Sequence, residues 1–330
     1  MPQDRRANQR NQTRAQGWHR RLICLGAIFA LTPPLSGQGV GGPDWKAVDA
    51  AIGRAGAMQP GGVYKVGLPR SDLHVTIDGI AIKPTLALGS WVAFLPMTSH
   101  RAMPMYPGRS ADARVMVMGD LVLTEDEIGP VMTVLQAGGI EQTAVHHHVL
   151  HETPRVFYMH IGATGNPVTI AHTIHTALAT TGTPLTAPPA AAPSPPAAFD
   201  LDTTAIRTAL GYGGKVNGGV YQVSVPRARP IQEDGMEIPP AMGTATALNF
   251  QPTGGGKAAI TGDFVLTAAE VNPVIRALTD HGIAVTALHN HMLTEQPRLF
   301  FMHFWANADA ATLAKGLRVA LDHTASQPRK

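Results

Sequence analysis

The chain has 330 residues, 44% of them hydrophobic and 15% charged, enough for two domains with cores of their own. Its formal net charge of +3 is local: six arginines and Asp4 precede residue 22, and setting them aside from 26 basic and 23 acidic side chains leaves 20 and 22. A body so nearly neutral offers no electrostatic reason to expect nucleic acid or an anionic membrane as partner.

Arg5, Arg6, Arg10, Arg14, Arg20 and Arg21 lead into the apolar run Leu22 to Thr32, which Pro33-Pro34 and small residues follow. That is the layout of a secretory signal, and the run is shorter than the roughly 20 apolar residues a spanning helix needs. It predicts a signal peptide over residues 1–37 and a periplasmic or secreted mature protein. Membrane contact would come only through this segment, were it left uncleaved. The one cysteine, Cys24, lies inside the run, so cleavage leaves no thiolate or disulfide chemistry.

The mature chain opens with Trp45, Val48, Ala51, Ile52 and Ala55 at helical spacing. Glycine pairs at Gly61-Gly62 and Gly218-Gly219 then turn into alternating strands, each ending in Pro-Arg (Pro69-Arg70, Pro226-Arg227). Second strands are expected near Trp91 to Phe94 and Thr244 to Phe250. A third strand carries Gly119-Asp120 or Gly262-Asp263. It leads to a helix with a capping box, Thr124 with Glu127 and Thr267 with Glu270, and a bend is expected at Pro130 and Pro273. A histidine-bearing strand, a turn, a returning strand and a closing helix complete each unit. Counterparts recur at a fixed spacing, for instance His146 and His289, so one structural unit occurs twice. The reading is α+β: two tandem homologous domains, each a mixed or antiparallel sheet with helices packed on one face. Residues 44–184 form repeat one, 185–199 a Pro/Ala-rich linker and 200–324 repeat two.

The doubled Gly-Asp-(Leu/Phe)-Val-Leu-Thr, His-(Asn/His)-His and (Tyr/Phe)-Met-His patterns resemble the LppY/LpqO family of bacterial cell-envelope proteins. The similarity runs from Asp44 to about Thr324. It implies a cell-envelope location and brings no established activity with it. The family's His-Asn-His stands intact at His289-Asn290-His291, whereas repeat one has His147 at the middle position.

Residues two apart in a strand face the same way, so His146 and His148 project together, as do His289 and His291. If the returning strand pairs His303 with His289, and His160 with His146, each repeat presents three imidazoles to one ion. Zinc, copper or iron would suit such a set. Glu152 and Glu295, in the turns, are candidates for a fourth ligand or a catalytic base. Asp120 and Asp263 are either acceptors orienting a ligand histidine or strand-edge turn residues. Arg155 and Arg298 are placed to bind an anionic group of a small molecule, or to pair with nearby carboxylates. His147 is out of phase and expected on the opposite face. His172 and His175 are read as surface residues, Met116/Met118 as core, and Met103/Met105 as a weak copper signal. The first reading is an exported protein with a histidine-based metal or small-ligand site in each repeat. The alternative is a non-catalytic envelope module that binds a glycan or protein, its histidines a structural polar network.

Overall fold

The computed structural model describes residues 42–97, 114–186 and 199–328. The predicted signal peptide with Cys24, the Met103/Met105 pair and residues 187–198 of the linker lie outside them. Among the described residues no helix is long and apolar enough to cross a membrane.

Repeat one runs α1 (Trp45–Ile52), β1 (Ala57–Gln59), β2 (Val63–Pro69), β3 (Thr76–Ile77), β4 (Ile80–Ala81), α2 (Pro84–Ala87), β5 (Gly89–Pro96) and β6 (Val115–Thr124). It continues with α3 (Glu125–Ala137), β7 (Glu141–His146), β8 (Glu152–Thr153), β9 (Val156–Gly165) and α4 (Pro167–Leu178). Repeat two runs α5 (Thr203–Leu210), β10 (Gly214–Asn217), β11 (Val220–Pro226), β12 (Ile231–Glu233), β13 (Met236–Ile238), β14 (Ala245–Gly254) and β15 (Lys257–Leu266). It ends with α6 (Ala268–Asp280), β16 (Ala284–His289), β17 (Phe300–Asp309) and α7 (Ala310–Leu321). The fold is α+β. Each repeat builds a six-stranded sheet, ordered β1-β2-β5-β6-β9-β7 and β10-β11-β14-β15-β17-β16. All of their pairings are antiparallel.

Strand alternation makes the layers. On β6, Leu121 and Leu123 join the core beneath α1, α3 and α4. The residues that alternate with them, Asp120 and Val122, face the other way. On β15, Phe264 and Leu266 pack under the helices of repeat two, and Asp263 and Val265 face the other way. The helix-free faces meet. One apolar cluster joins Met116 and Met118 to Val265, Met292 and Phe301. A second joins Val122, Val156 and Tyr158 to Val220, Ala259 and Trp305. The order of layers is therefore helices, sheet, sheet, helices.

Both capping boxes form, and α3 and α6 continue through Pro130 and Pro273 without interruption. The Pro-Arg strand ends explain themselves here. Buried Arg70 donates to the Val122 carbonyl at 2.9 Å and to Glu127 at 2.6 Å. Glu127 also accepts from the backbone N–H groups of Thr124 and Gly182. Arg227 repeats the arrangement with Val265, Glu270, Thr267 and Ala325. One ion pair thus ties the first long strand, the capped helix and the chain after the closing helix together. Asp72 adds a carboxylate to Arg70 at 2.8 Å. His175, expected at the surface, is half-buried and pairs through Nδ1 with the Ile52 carbonyl at 3.0 Å, while His172 is exposed.

Candidate metal centre

The histidines occupy the space between the two apolar clusters, where the sheets face each other. The hairpin register differs from the expected one by two residues. His303 stands opposite Ala287, and His289 opposite Phe301; His160 stands opposite Ala144, and His146 opposite Tyr158. An even shift leaves every ring on its face, because side chains alternate with a period of two. A bulge precedes each pairing, between Gln142 and Ala144 and between Val285 and Ala287. His148 and His291 lie just beyond the ends of β7 and β16, yet their rings sit 5.1 Å from those of His146 and His289.

Because the faces meet, the rings interleave instead of forming one triad per repeat. His146 stacks on His289 with centroids 3.5 Å apart. His148 stacks on His303 and His160 lies against His291, both at 3.8 Å. Tyr158 caps one end of this run and Phe301 the other. Ligand atoms within 4.8 Å of one another occur in the sets His146/His160/His289, His146/His148/His303, Asp120/His148/His160 and Asp263/His289/His291. Two of these four sets mix the repeats, so the expected site in each repeat becomes a single composite cluster.

The Gly-Asp motif serves this cluster from mid-strand, not from a strand-edge turn. Asp120 pairs across with His160, and Asp263 with His303. The Nδ1 of His303 donates to the Gly262 carbonyl at 2.6 Å, and His160 bonds Gly119 in the same way. Gly262 must lack a side chain, because a Cβ there would lie 1.9 Å from the Ala247 carbonyl oxygen. The aspartates point at the neighbouring rings, with Asp120 Oδ2 3.8 Å from His148 Nε2 and Asp263 Oδ2 3.1 Å from His291 Nε2. The Nδ1 atoms of His146 and His289 face the carbonyls of His147 and Asn290, each at 3.0 Å.

A hydrogen bond from Nδ1–H to a carbonyl fixes the neutral tautomer and leaves the Nε2 lone pair free. All six Nε2 atoms are buried without a hydrogen-bond partner, as is Oδ1 of both aspartates. Burial sets the electrostatics. It holds His146 down to about 4 and His289 down to about 3, with the neighbouring imidazoles adding to it. His148, His160, His291 and His303 are held well below the usual range for the same reason. Burial raises Asp120 to about 8, against the pull of the Lys65 ammonium, and Asp263 well above the carboxylate range. The rings are therefore in their ligating form, and the one ammonium near them, Lys65, does not offset the burial of Asp120.

The remaining candidates lie elsewhere. Glu152 and Glu295 belong to none of the four converging sets. Glu152 is buried in the small sheet of β8 with β3, 3.6 Å from His147. Glu295 accepts from the Leu299 N–H at 2.8 Å and pairs with Arg298 at 3.1 Å, a local structural use of both. Arg155 is exposed. His147 turns away and lies against Phe157, whereas Asn290 donates to the Thr143 carbonyl of repeat one. Lys65 and Trp91 were not singled out from the sequence, because repeat two has Gln222 and Ala247 at their positions and the pattern there is not doubled. Nζ of Lys65 lies 3.7 Å from the Trp91 ring centre and donates to the Ala241 carbonyl at 3.0 Å. Burial lowers this ammonium to about 8, while Asp120 opposes the shift.

Two cavities reach the cluster. One, of about 720 Å³, is lined by Lys65, Trp91, Asp120, His148, Asp263 and His303. The other, of about 500 Å³, carries Glu141, Glu233 and Asp234 with the thioethers of Met116, Met118 and Met292. His291 lines both. Met116 and Met118 are thus core residues that also wall the acidic cavity.

A search of curated proteins finds no match to the chain. Solved structures similar to it include a trimeric bacterial microcompartment shell protein, PduB, at 13% identity and TM-score 0.19, covering 81% of this chain and 90% of that one. EtuB from Clostridium kluyveri matches at 8% identity and TM-score 0.16, covering 67% and 93%. Scores this low carry no structural argument. A family described as Domain of Unknown Function (DUF1259) matches residues 46–107, 105–180 and 204–323, and the chain belongs to that family.

Proposed function

We propose that this is an exported cell-envelope protein that binds a first-row transition metal between its two repeats. The observation that carries the reading is the set of six buried Nε2 atoms with no partner. An unmet buried polar atom costs roughly 1–3 kcal/mol, and six at one point are hard to sustain unless something occupies them. Zinc, copper and iron all take neutral imidazole. The alternative, a non-catalytic module with structural histidines, offers a partner at hydrogen-bond distance to His291 alone, through Asp263 Oδ2 at 3.1 Å, and leaves the other five atoms unexplained. The export element rests on the basic and apolar N-terminal layout and on the LppY/LpqO resemblance.

The larger cavity reaches the ligand set and has room for a small molecule. A metal facing it would act as a Lewis acid on an oxygen of that molecule, with Lys65 as the nearby cation. The test is elemental analysis of mature, untagged protein. A metal held in whole-number stoichiometry and reduced in both His146→Ala and His289→Ala supports the reading. No metal after reconstitution with zinc, copper and iron would sink it.

A further inference from the structure

We infer that the cluster is a two-ion centre. His146, His148, His303 and Asp120 hold one ion, and His289, His291, His160 and Asp263 hold the other. The inference rests on the metal reading above and deepens it.

The first argument is a count of donors. Eight side chains each bring a buried atom without a partner, the Nε2 of six histidines and the Oδ1 of two aspartates. One first-row ion takes at most about six ligands in octahedral geometry, so a single ion would strand at least two of the eight. Two ions with four ligands each leave none stranded. A second argument is the symmetry of the rings. In the first set the centroids are 5.1 Å apart for His146–His148, 3.8 Å for His148–His303 and 5.5 Å for His146–His303. In the second they are 5.1 Å for His289–His291, 3.8 Å for His160–His291 and 5.6 Å for His160–His289. The two sets share no histidine, and each draws two rings from one repeat and one from the other. Charge gives a third argument. Each aspartate converges with two histidines, Asp120 with His148 and His160 and Asp263 with His289 and His291, so each proposed ion has one carboxylate of its own to balance its charge, Asp120 also standing within reach of His160.

The test is a count of zinc and of cobalt(II) bound by the metal-free, full mature chain, by competition titration and elemental analysis. Two ions per chain are expected, falling to one in Asp120→Asn and to one in Asp263→Asn, with near-ultraviolet circular dichroism reporting retained packing. One ion per chain in the unaltered protein would overturn the two-ion arrangement and leave the metal reading standing. No bound ion would overturn both. Loss of both ions in a folded Asp120→Asn protein would overturn the assignment of ligands. Should either variant fail to fold, the unaltered chain still decides through its stoichiometry. It decides again through the magnetic coupling of two adjacent cobalt(II) ions, expected in its low-temperature electron paramagnetic resonance spectrum and absent for one ion.

Discussion

The two repeats hold their frames alike and differ where they line the larger cavity. The buried arginines, the capping-box glutamates and the Ser90 and Thr246 hydroxyls, which accept from Val122 and Val265, match partner for partner. Thr143 donates to the His291 carbonyl and Thr286 to that of His148, one bond in each direction across the interface. His175 in repeat one and Arg318 in repeat two even reach equivalent helix-end carbonyls with different chemistry. At the cavity the match ends. Lys65 stands where repeat two has Gln222, and Trp91 where it has Ala247; away from the cavity, at the ends of the ring stack, Tyr158 stands where repeat two has Phe301. The lesson is that the sheets and ligands are held as a symmetric pair, while the chemistry beside one set of ligands has been set apart from the other.

The frame comparison is tested hardest by removing its ion pairs. Arg70→Ala and Arg227→Ala should each cost about 3–5 kcal/mol in urea unfolding, since each removes the buried arginine and leaves a half-buried glutamate without its cation. Arg70→Ala should cost no less than Arg227→Ala, because it strands Asp72 as well. A loss below about 1 kcal/mol in either would break the equivalence.

The cluster itself predicts a stability optimum for the metal-free chain. Unfolded imidazoles titrate near 6.5, whereas folded His146 and His289 sit at about 4 and 3. The unfolded chain therefore binds more protons in that window, and stability falls as pH drops from 6.5 toward 4. Asp120 acts the other way. Its folded value of about 8 stands against 3.8 in the unfolded chain, so its contribution is complete below 3.8 and is lost as pH rises toward 8. Six rings outweigh two carboxylates below 6.5, and the carboxylates dominate from there to about 8, where Lys65, lowered to about 8, begins to act. Denaturation across pH in the presence of a chelator should place the maximum near pH 6.5. A curve rising steadily to pH 8 would contradict it.

Smaller changes sharpen the asymmetry. Tyr158→Phe makes the two ends of the ring stack alike and should cost about 1 kcal/mol, the bond from its hydroxyl to the Ala87 carbonyl at 2.9 Å. Lys65→Gln copies repeat two and should move stability by about 1 kcal/mol or less. It should also push the Asp120 carboxyl further up from about 8, read by carbon-13 titration of the metal-free protein. An unchanged or lower value would remove Lys65 from the site.

Much of this was legible in the residues, and the parts that were not have physical causes. The repeat, the capping boxes and the strand alternation are local patterns, and they place Asp120 and the histidines on one face. What a strand pattern does not encode is what lies above that face. The meeting of the two sheets turned two imagined triads into one interleaved cluster, through contacts between residues as distant as His148 and His303. Register was misjudged by two residues because alternation fixes which face a residue takes and not how far two strands slide, and the cluster survived because the error was even. Glu152 and Glu295 lay close in sequence to the histidines, but the turns that carry them leave the sheet face. Lys65 and Trp91 stand on strands far from the motif in sequence, and only the fold brings them to Asp120.

The central claim is that metal is held between the sheets by both repeats at once. The most direct test is an anomalous difference map from crystals of the mature protein grown with zinc and measured at its absorption edge. The account predicts peaks between the sheets, about 2.0–2.1 Å from Nε2 atoms of both repeats. Zinc bound only at the outer surface, or by histidines of one repeat alone, would contradict it.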